Sequence, residues 1–396
     1  MTATAGPLYD ELLFPELAAE IAASRPTGIY PSQKIEEFIA AGYIRADTPI
    51  EPQQIQPASI DLRLGSVAYR VRASFLPGRT STVEKKAEEY SSHQLDLTRP
   101  TVMERGCVYI VPLQEEWNLP PQVAGKANPK SSIGRVDVFT RLITDYSNEF
   151  ERVAPGYKGK LYVEIVPRTF SILVRQGTRM NQLRFIRGTQ TPSDAKLVEL
   201  HEEKALVYVE NDLLVTPNIS SGLWVSVDLE GTEASEIVAY KAKHNAPLLD
   251  LDKVSFYDPS EFWEPISHLR RRQLILNPED LNILASKERV RVPPEFAAEM
   301  VGYDPAVGEF RLHYAGFFDP GFGYGSSDDV KGARAVLEVR SHEVPFLLED
   351  GQPVGRLVFE QLMAPPSKIY GPAIGSTYQE QDLSLSKHFK RYALDG

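Results

Sequence analysis
Along this chain apolar and polar residues alternate in short runs instead of recurring at helical spacing. Ser59-Ile-Asp-Leu-Arg-Leu-Gly65, Val108–Leu113, Lys160–Val166 and Phe170–Arg175 are such runs, cut by Pro/Gly turns about every 8–15 residues among 30 prolines in all. A period of two sends successive side chains to opposite faces of a strand. The pattern therefore predicts a mainly β chain, folded as antiparallel barrels or sandwiches, and not a βαβ fold. One stretch departs from it: Ser32 as cap, Ile35, Phe38 and Ile39 on one face, and Gly42 as stop predict a short helix. Before it, helical pieces at Tyr9–Phe14 and Pro15–Ser24 read as a loosely attached arm.

The second half of the chain repeats the first. Leu119-Pro-Pro121 recurs as Val292-Pro-Pro294, and Ser59-Ile-Asp-Leu-Arg-Leu-Gly65 is echoed by Ser226-Val-Asp-Leu-Glu-Gly231. Glu164, Gly177 and Phe185 recur as Glu338, Gly351 and Phe359, all at an offset of 174 residues. A constant offset over three landmarks predicts a tandem duplication, with domains 1–190 and 191–396 joined near the turn-rich Gly188–Ser193.

Bulk properties narrow the field. At 396 residues there is material for two ordinary domains, and no run of about 18 apolar residues suggests a membrane span. The start of the chain lacks the basic and apolar regions of a secretory signal, and its single cysteine, Cys107, sits in an apolar run as a small buried hydrophobe. A cytoplasmic protein is expected. The net charge of −11 argues against nucleic acid as a partner, yet Lys126–Arg187 holds 12 Lys/Arg against 5 Asp/Glu. Such a basic window on an acidic protein suits a small anionic ligand.

The same window holds the candidate chemistry. Asn128-Pro-Lys-Ser-Ser-Ile-Gly-Arg135 places a hydroxyl pair, a glycine and a guanidinium on one tight turn, which are donors suited to an ionised phosphate chain. Downstream, in Lys160–Ile165, Leu161, Val163 and Ile165 share one face of a strand, and Lys160, Tyr162 and Glu164 share the other. By pattern alone Glu164 is a solvated surface carboxylate. His201-Glu-Glu203 spells half of a zinc deaminase motif, but one cysteine cannot supply the paired cysteines of the other half, so no zinc site of that kind is expected.

These residues, with Pro155-Gly-Tyr-Lys-Gly159 and Arg175-Gln-Gly177…Asn181-Gln-Leu-Arg184, resemble the phosphate-binding and catalytic motifs of the dCTP deaminase branch of the trimeric dUTPase-like family. Tyr30–Ile35 and Gln56–Gly65 resemble its N-terminal helix and first motif, and Ile369–Gln381 its C-terminal lid, the whole matching the long two-domain form. The resemblance implies two tandem dUTPase-like β domains with a few short helices, and hydrolytic deamination of dCTP to dUTP and ammonia. Glu164 falls on the family's general base, with Ser131 and Arg135 holding phosphates and orienting water across a subunit boundary. Lys130, Ser132 and Gly134 complete the turn, with Gly134 letting backbone N–H groups approach the phosphates. Asn181, Gln182 and Arg184 line the nearby strand or serve only structure, and Tyr370 and Gln381 belong to the lid. Mg²⁺ is expected with the triphosphate, dTTP as a possible feedback ligand, and a homotrimer as the assembly.

Two departures from the family pattern matter. Ala154 stands where relatives that cleave the phosphate chain carry an aspartate, which favours deamination alone over a bifunctional deaminase–diphosphatase or a plain dUTPase. In the second half Asp319 and Glu338 are retained, whereas the phosphate turn has become Asp304-Pro-Ala-Val-Gly-Glu309 and Thr377 replaces a lid lysine. Either the first half carries the whole site, or the sites are composite between halves. A catalytically silent nucleotide-binding regulator is the non-enzymatic alternative.

Overall fold
The computed structural model describes residues 27–190, 193–209, 213–232, 235–267, 269–302, 310–313, 316–325, 330–341, 343–371, 374–376, 378–379 and 381–391. The expected N-terminal arm, the turn 304–309 and Thr377 lie outside the described residues.

The predicted helix is α1, Ser32–Ala40, with Ile35 and Phe38 buried and Gly42 left-handed at φ 72° just beyond its end. Ser32 is not its cap. Pro31 holds that position, and the Ser32 hydroxyl lies 2.9 Å from that of Ser367 instead. A second helix, α2, spans Val83–Tyr90 and is capped by the Thr82 hydroxyl accepting from the Lys85 N–H.

The remaining architecture is β, as the alternation predicts. In the first half the strands that frame the site are β1 (Ile60–Arg63), β2 (Val108–Asn118), β3 (Val123–Pro129), β4 (Val138–Thr144), β5 (Arg152–Val153), β6 (Lys158–Pro167) and β7 (Arg179–Arg187). Strand β6 runs antiparallel between β2 and β4, while β7 runs between β1 and β3, with β5 at the edge of β3. In the second half the corresponding strands are β8 (Leu223–Ser226), β9 (Asn282–Val290), β10 (Phe296–Val301), β11 (Phe317–Phe318), β12 (Ala333–Ser341) and β13 (Pro353–Gln361). Here β12 pairs with β9, β13 lies between β8 and β10, and β11 edges β10.

Ladder registers show how close the repeat is. Strands β7 and β13 are offset by 174 residues at both ends. Val123 faces Arg187 in one ladder, and Phe296 faces Gln361 in the other. Gly177 and Gly351, just before the repeated strands, both take a left-handed φ (89° and 75°) that a side chain would oppose. At the edges, Val153 opposes Gly125 and Phe318 opposes Ala298, so Ala154 and Asp319 are true counterparts.

Two main cores form, and the first crosses the boundary. Leu161, Val163 and Ile165 of β6 pack with Leu183 and Phe185 of β7, and the same cluster takes in Leu249, Phe262, Trp263 and Ile283 from the second half. Phe170 meets Phe262 and Trp263 edge-on, with centroids 5.4 and 5.5 Å apart. On β12, Ala335, Leu337 and Val339 point into the second core, and the opposite face presents Val336, Glu338 and Arg340 to the first half.

Polar anchors fix how the halves meet. The Arg184 guanidinium donates to the carbonyls of Ala298 at 3.0 Å and Phe318 at 2.8 Å and lies 4.0 Å over the Phe317 ring. Arg340 is ion-paired with Asp137, and both are almost fully buried. Asp137 sits at φ 56°, a left-handed position that Asp tolerates better than most side chains, and also accepts from the Thr169 hydroxyl. Removing one partner of such a pair strands a buried charge. Arg340→Met should therefore lower the unfolding free energy by about 3–5 kcal/mol in urea titration, against about 0–1 kcal/mol for breaking the more exposed Lys204–Glu295 pair. Equal losses for the two would count against the anchoring role of Arg340.

Candidate active site
The basic turn leaves β3 and makes a single helical turn, Ser131–Gly134, held by Ile133 and Gly134 N–H groups donating to the Lys130 carbonyl at 2.8 and 3.1 Å and by Arg135 N–H donating to Ser131 O at 3.0 Å. Gly134 is thus occupied inside the turn and is not on the wall of the cavity beyond it. Its own N–H is spent on the Lys130 carbonyl.

That cavity, about 210 Å³, opens between the two halves. From the first come Lys130, Ser131, Ser132, Arg135 and Gln182; from the second come Asp319, Glu338, Tyr370 and Gln381. Nine of the residues singled out in the sequence therefore converge on one space. Its apolar wall includes Met300, Phe317, Phe318 and Val336, which the sequence did not single out.

Arg135 is the centre of the polar side. Its guanidinium donates to Gln381 Oε1 at 2.8 Å and to the Ser384 carbonyl at 3.0 Å, and lies 3.9 Å over the Tyr378 ring. Its Nε, which is buried and makes no hydrogen bond, stands 3.9 Å from Glu338 Oε1. Glu338 is itself buried, and loss of hydration pushes its carboxyl up to about 8 in spite of the opposing pull of Arg135. Burial likewise raises Asp319, offset by Arg184 at 3.5 Å. Lys130 is ion-paired with Asp61, whose second oxygen is buried without a hydrogen bond.

The other expected residues lie elsewhere. Glu164 is fully buried, not solvated, and does not line the cavity. Its Oε1 accepts from Arg141 Nη2 at 2.6 Å and Nε at 3.0 Å, with the Arg141 guanidinium 3.6 Å over the Phe150 ring. The face of β6 that carries Tyr162 packs against Val83 and Ala87 of α2. The equivalent face of β12 is the one that opens on the first half. Asn181 points away from the cavity, buried with both amide atoms lacking a hydrogen bond, and Arg184 acts as the anchor described above. His201 lies in the last turn of the helix Asp194–Lys204 and accepts the Leu206 N–H at 3.2 Å. Cys107 is half-buried, with Arg70 Nη2 3.0 Å from its sulfur.

Side chains missed in the sequence are Tyr378, which stacks on Arg135, and Lys387, which enters from beyond the lid. Tyr378 lies within the lid stretch and was within reach of the reading. Lys387 carries no local pattern, because only the path of the chain brings it back to the turn.

Comparison with known proteins accords with this arrangement. Models of the N-terminal and C-terminal domains of 2'-deoxycytidine 5'-triphosphate deaminase match residues 26–189 and 193–389. The crystal structure of 2'-deoxycytidine 5'-triphosphate deaminase from Agrobacterium tumefaciens is similar at a TM-score of 0.81 and 48% identity, over 85% of this chain and 100% of that one. A Halobacterium salinarum protein described as dCTP deaminase, dUMP-forming, is 34% identical over 114 residues, 28% of this chain and 53% of that protein. One of the same description from Methanobrevibacter smithii is 29% identical over 174 residues, 42% of this chain and 83% of that protein. The chain thus spans only about half the length of the Halobacterium relative. With two domain models matched end to end over most of its length, the chain belongs to the dCTP deaminase family.

Proposed function
We propose that this chain hydrolyses dCTP to dUTP and ammonia in the cavity between its halves, with Glu338 as the proton-transfer group. One observation carries the reading: Glu338 of the second half and Ser131 and Arg135 of the first line the same cavity. The composite arrangement left open by the sequence is favoured, and the boundary crossed is one between domains of a single chain.

Deamination adds water at C4 of cytosine and expels the amino group. A carboxyl raised to about 8 can hold a proton at neutrality and give it to N3, which makes C4 electrophilic. The resulting carboxylate then takes a proton from the attacking water and passes it to the leaving amino group; as ammonia departs, the C4 hydroxyl gives its proton back to Glu338 and becomes the carbonyl. Arg135, 3.9 Å away, steadies the carboxylate while it is charged. The aromatic wall suits a pyrimidine ring, and the Ser131–Lys130 end suits the phosphates. Among the described residues no three His, Cys, Asp or Glu side chains form a metal cluster, so Mg²⁺ would be carried by oxygens of the triphosphate as part of the substrate. Because dTTP presents the same deoxyribose triphosphate, it would compete for the same groups. No helix among the described residues is long and apolar enough to cross a membrane. The proposed assembly is a homotrimer carrying six barrels, measurable by analytical ultracentrifugation.

A second reading, release of dUMP and pyrophosphate, is favoured by Asp319 lining the cavity and by the descriptions of the two curated relatives. Against it stands Ala154 at the counterpart of Asp319. Ion-exchange separation of the products from dCTP and Mg²⁺ distinguishes dUTP from dUMP, and absence of either product rejects both readings.

Glu338→Gln should lower kcat by about 10²–10⁴-fold, because the amide keeps size but cannot shuttle a proton. Glu164→Gln should leave the kcat of folded protein within about threefold. The opposite ranking would return the role to Glu164. Arg135→Ala should weaken both dCTP binding, measured by calorimetry, and turnover, since a charge-assisted contact contributes about 1.5–3 kcal/mol.

The raised carboxyl also predicts a pH dependence of stability. Folded Glu338 binds its proton more tightly than the unfolded chain does, with a carboxyl near 8 against 4.5. Its contribution is complete below 4.5 and is lost as the pH rises through 8. The stability of Glu338→Gln relative to the parent should therefore grow between about pH 5 and pH 8 in thermal melts. A difference that does not change with pH would mean that Glu338 titrates normally.

A further inference from the structure
We propose that Lys387 binds the terminal phosphates of the substrate and that the segment 381–389 is the strap that delivers it; this rests on the reading of the cavity as a triphosphate site. Beyond Gln381 the chain leaves the second half and returns across the basic turn of the first. The Ser384 carbonyl accepts from Arg135 at 3.0 Å, and the Ser386 hydroxyl donates to the Ser132 carbonyl at 2.7 Å. The Lys387 backbone N–H donates to the Tyr378 hydroxyl at 3.0 Å, and His388 Nε2 meets the Leu251 carbonyl at 3.1 Å. Phe389 then locks the end of the strap, 5.2 Å from the Phe262 ring centroid. A segment fixed at so many points presents its one lysine in a defined place.

That lysine lines two cavities at once. It borders the active cavity and an adjoining one of about 300 Å³, and the two share Lys130, Ser132 and Lys387. The second also has Asp61, Thr178, Arg179 and Asp252 in its wall. Lys130 is ion-paired with Asp61, whereas the half-buried ammonium of Lys387 has no hydrogen bond or ion pair among the described residues. Burial, and then the neighbouring Lys130, push its ammonium below the usual lysine range. Asp252 is taken up by Arg175 and Arg179 by Glu51, so Lys130 and Lys387 are left with Asp61 alone, and the outer phosphates of a nucleoside triphosphate would supply the missing negative charge. With the base against Glu338, a monophosphate would end before Lys387 and a triphosphate would reach it. The strap then reads the length of the phosphate chain.

Lys387→Gln keeps the length of the side chain and removes its charge. It should raise KM for dCTP about ten- to a hundredfold with kcat within about threefold, and leave KM for dCMP unchanged. Lys387→Arg should restore dCTP, and Lys390→Gln, at an exposed cation one residue past the strap, should alter neither substrate. Titration with inorganic tripolyphosphate needs no turnover and should show the same loss for Lys387→Gln alone. The proposal is overturned if KM for dCTP moves less than about twofold, if dCTP and dCMP suffer equally, or if tripolyphosphate binds parent and variant alike. A parent that binds tripolyphosphate through Lys387 yet deaminates nothing would reject the deaminase reading and keep this one.

Discussion

The buried ion pair between Arg340 and Asp137 is the interaction on which the site depends. Asp137 lies two residues beyond Arg135, and Arg340 lies two residues beyond Glu338 on the same face of β12. Joining them sets the distance between the guanidinium of one half and the carboxyl of the other. A pair of this kind is weak as a source of net stability, because both ions leave water to form it. Its value is geometric, since few other juxtapositions of the halves satisfy both charges. Arg184 adds a second point of attachment, and the apolar core that crosses the boundary fills the space between.

The two related carboxylates differ because of what covers their strands. Each follows the same alternation, with aliphatic neighbours turned to its own core. In the first half the outer face is roofed by α2, and Arg141, stacked on Phe150, pairs with Glu164. In the second half the outer face is roofed by the other domain, whose nearest cation stands 3.9 Å off and leaves room for a ligand. Glu164 is held by two N–H donors of one guanidinium, whereas Glu338 faces its nearest guanidinium across a longer gap, and burial raises its carboxyl. The same residue type at the same place in the repeat thus has two fates.

Much of this was legible in the sequence. Alternation gave the β architecture, and the constant offset of 174 residues gave the repeat, down to the bounds of β7 and β13. The basic turn was recognisable through its resemblance to the family motif and its spacing to Glu164, since the string by itself reads as an ordinary turn. Which of Glu164 and Glu338 lines the cavity was not legible, since it depends on which element lies over each strand. The pairing of Arg141 with Glu164 joins residues on neighbouring strands, which no local pattern specifies. Ser32 reads as a cap by type, yet its hydroxyl is drawn to Ser367, 335 residues away. Lys387 escaped notice for the same reason: the route of the chain alone brings it to the cavity.

Placing the turn and the carboxyl in one polypeptide has a consequence for how such a site survives dilution. Were the two halves separate molecules, each site would exist only to the extent that they met, and its occupancy would fall with protein concentration. A covalent connection replaces that encounter by an intramolecular one with an effective concentration on the order of millimolar or above. The chemistry is therefore insulated from the abundance of the protein. Once the halves no longer need to be interchangeable, each is free to lose what the other supplies.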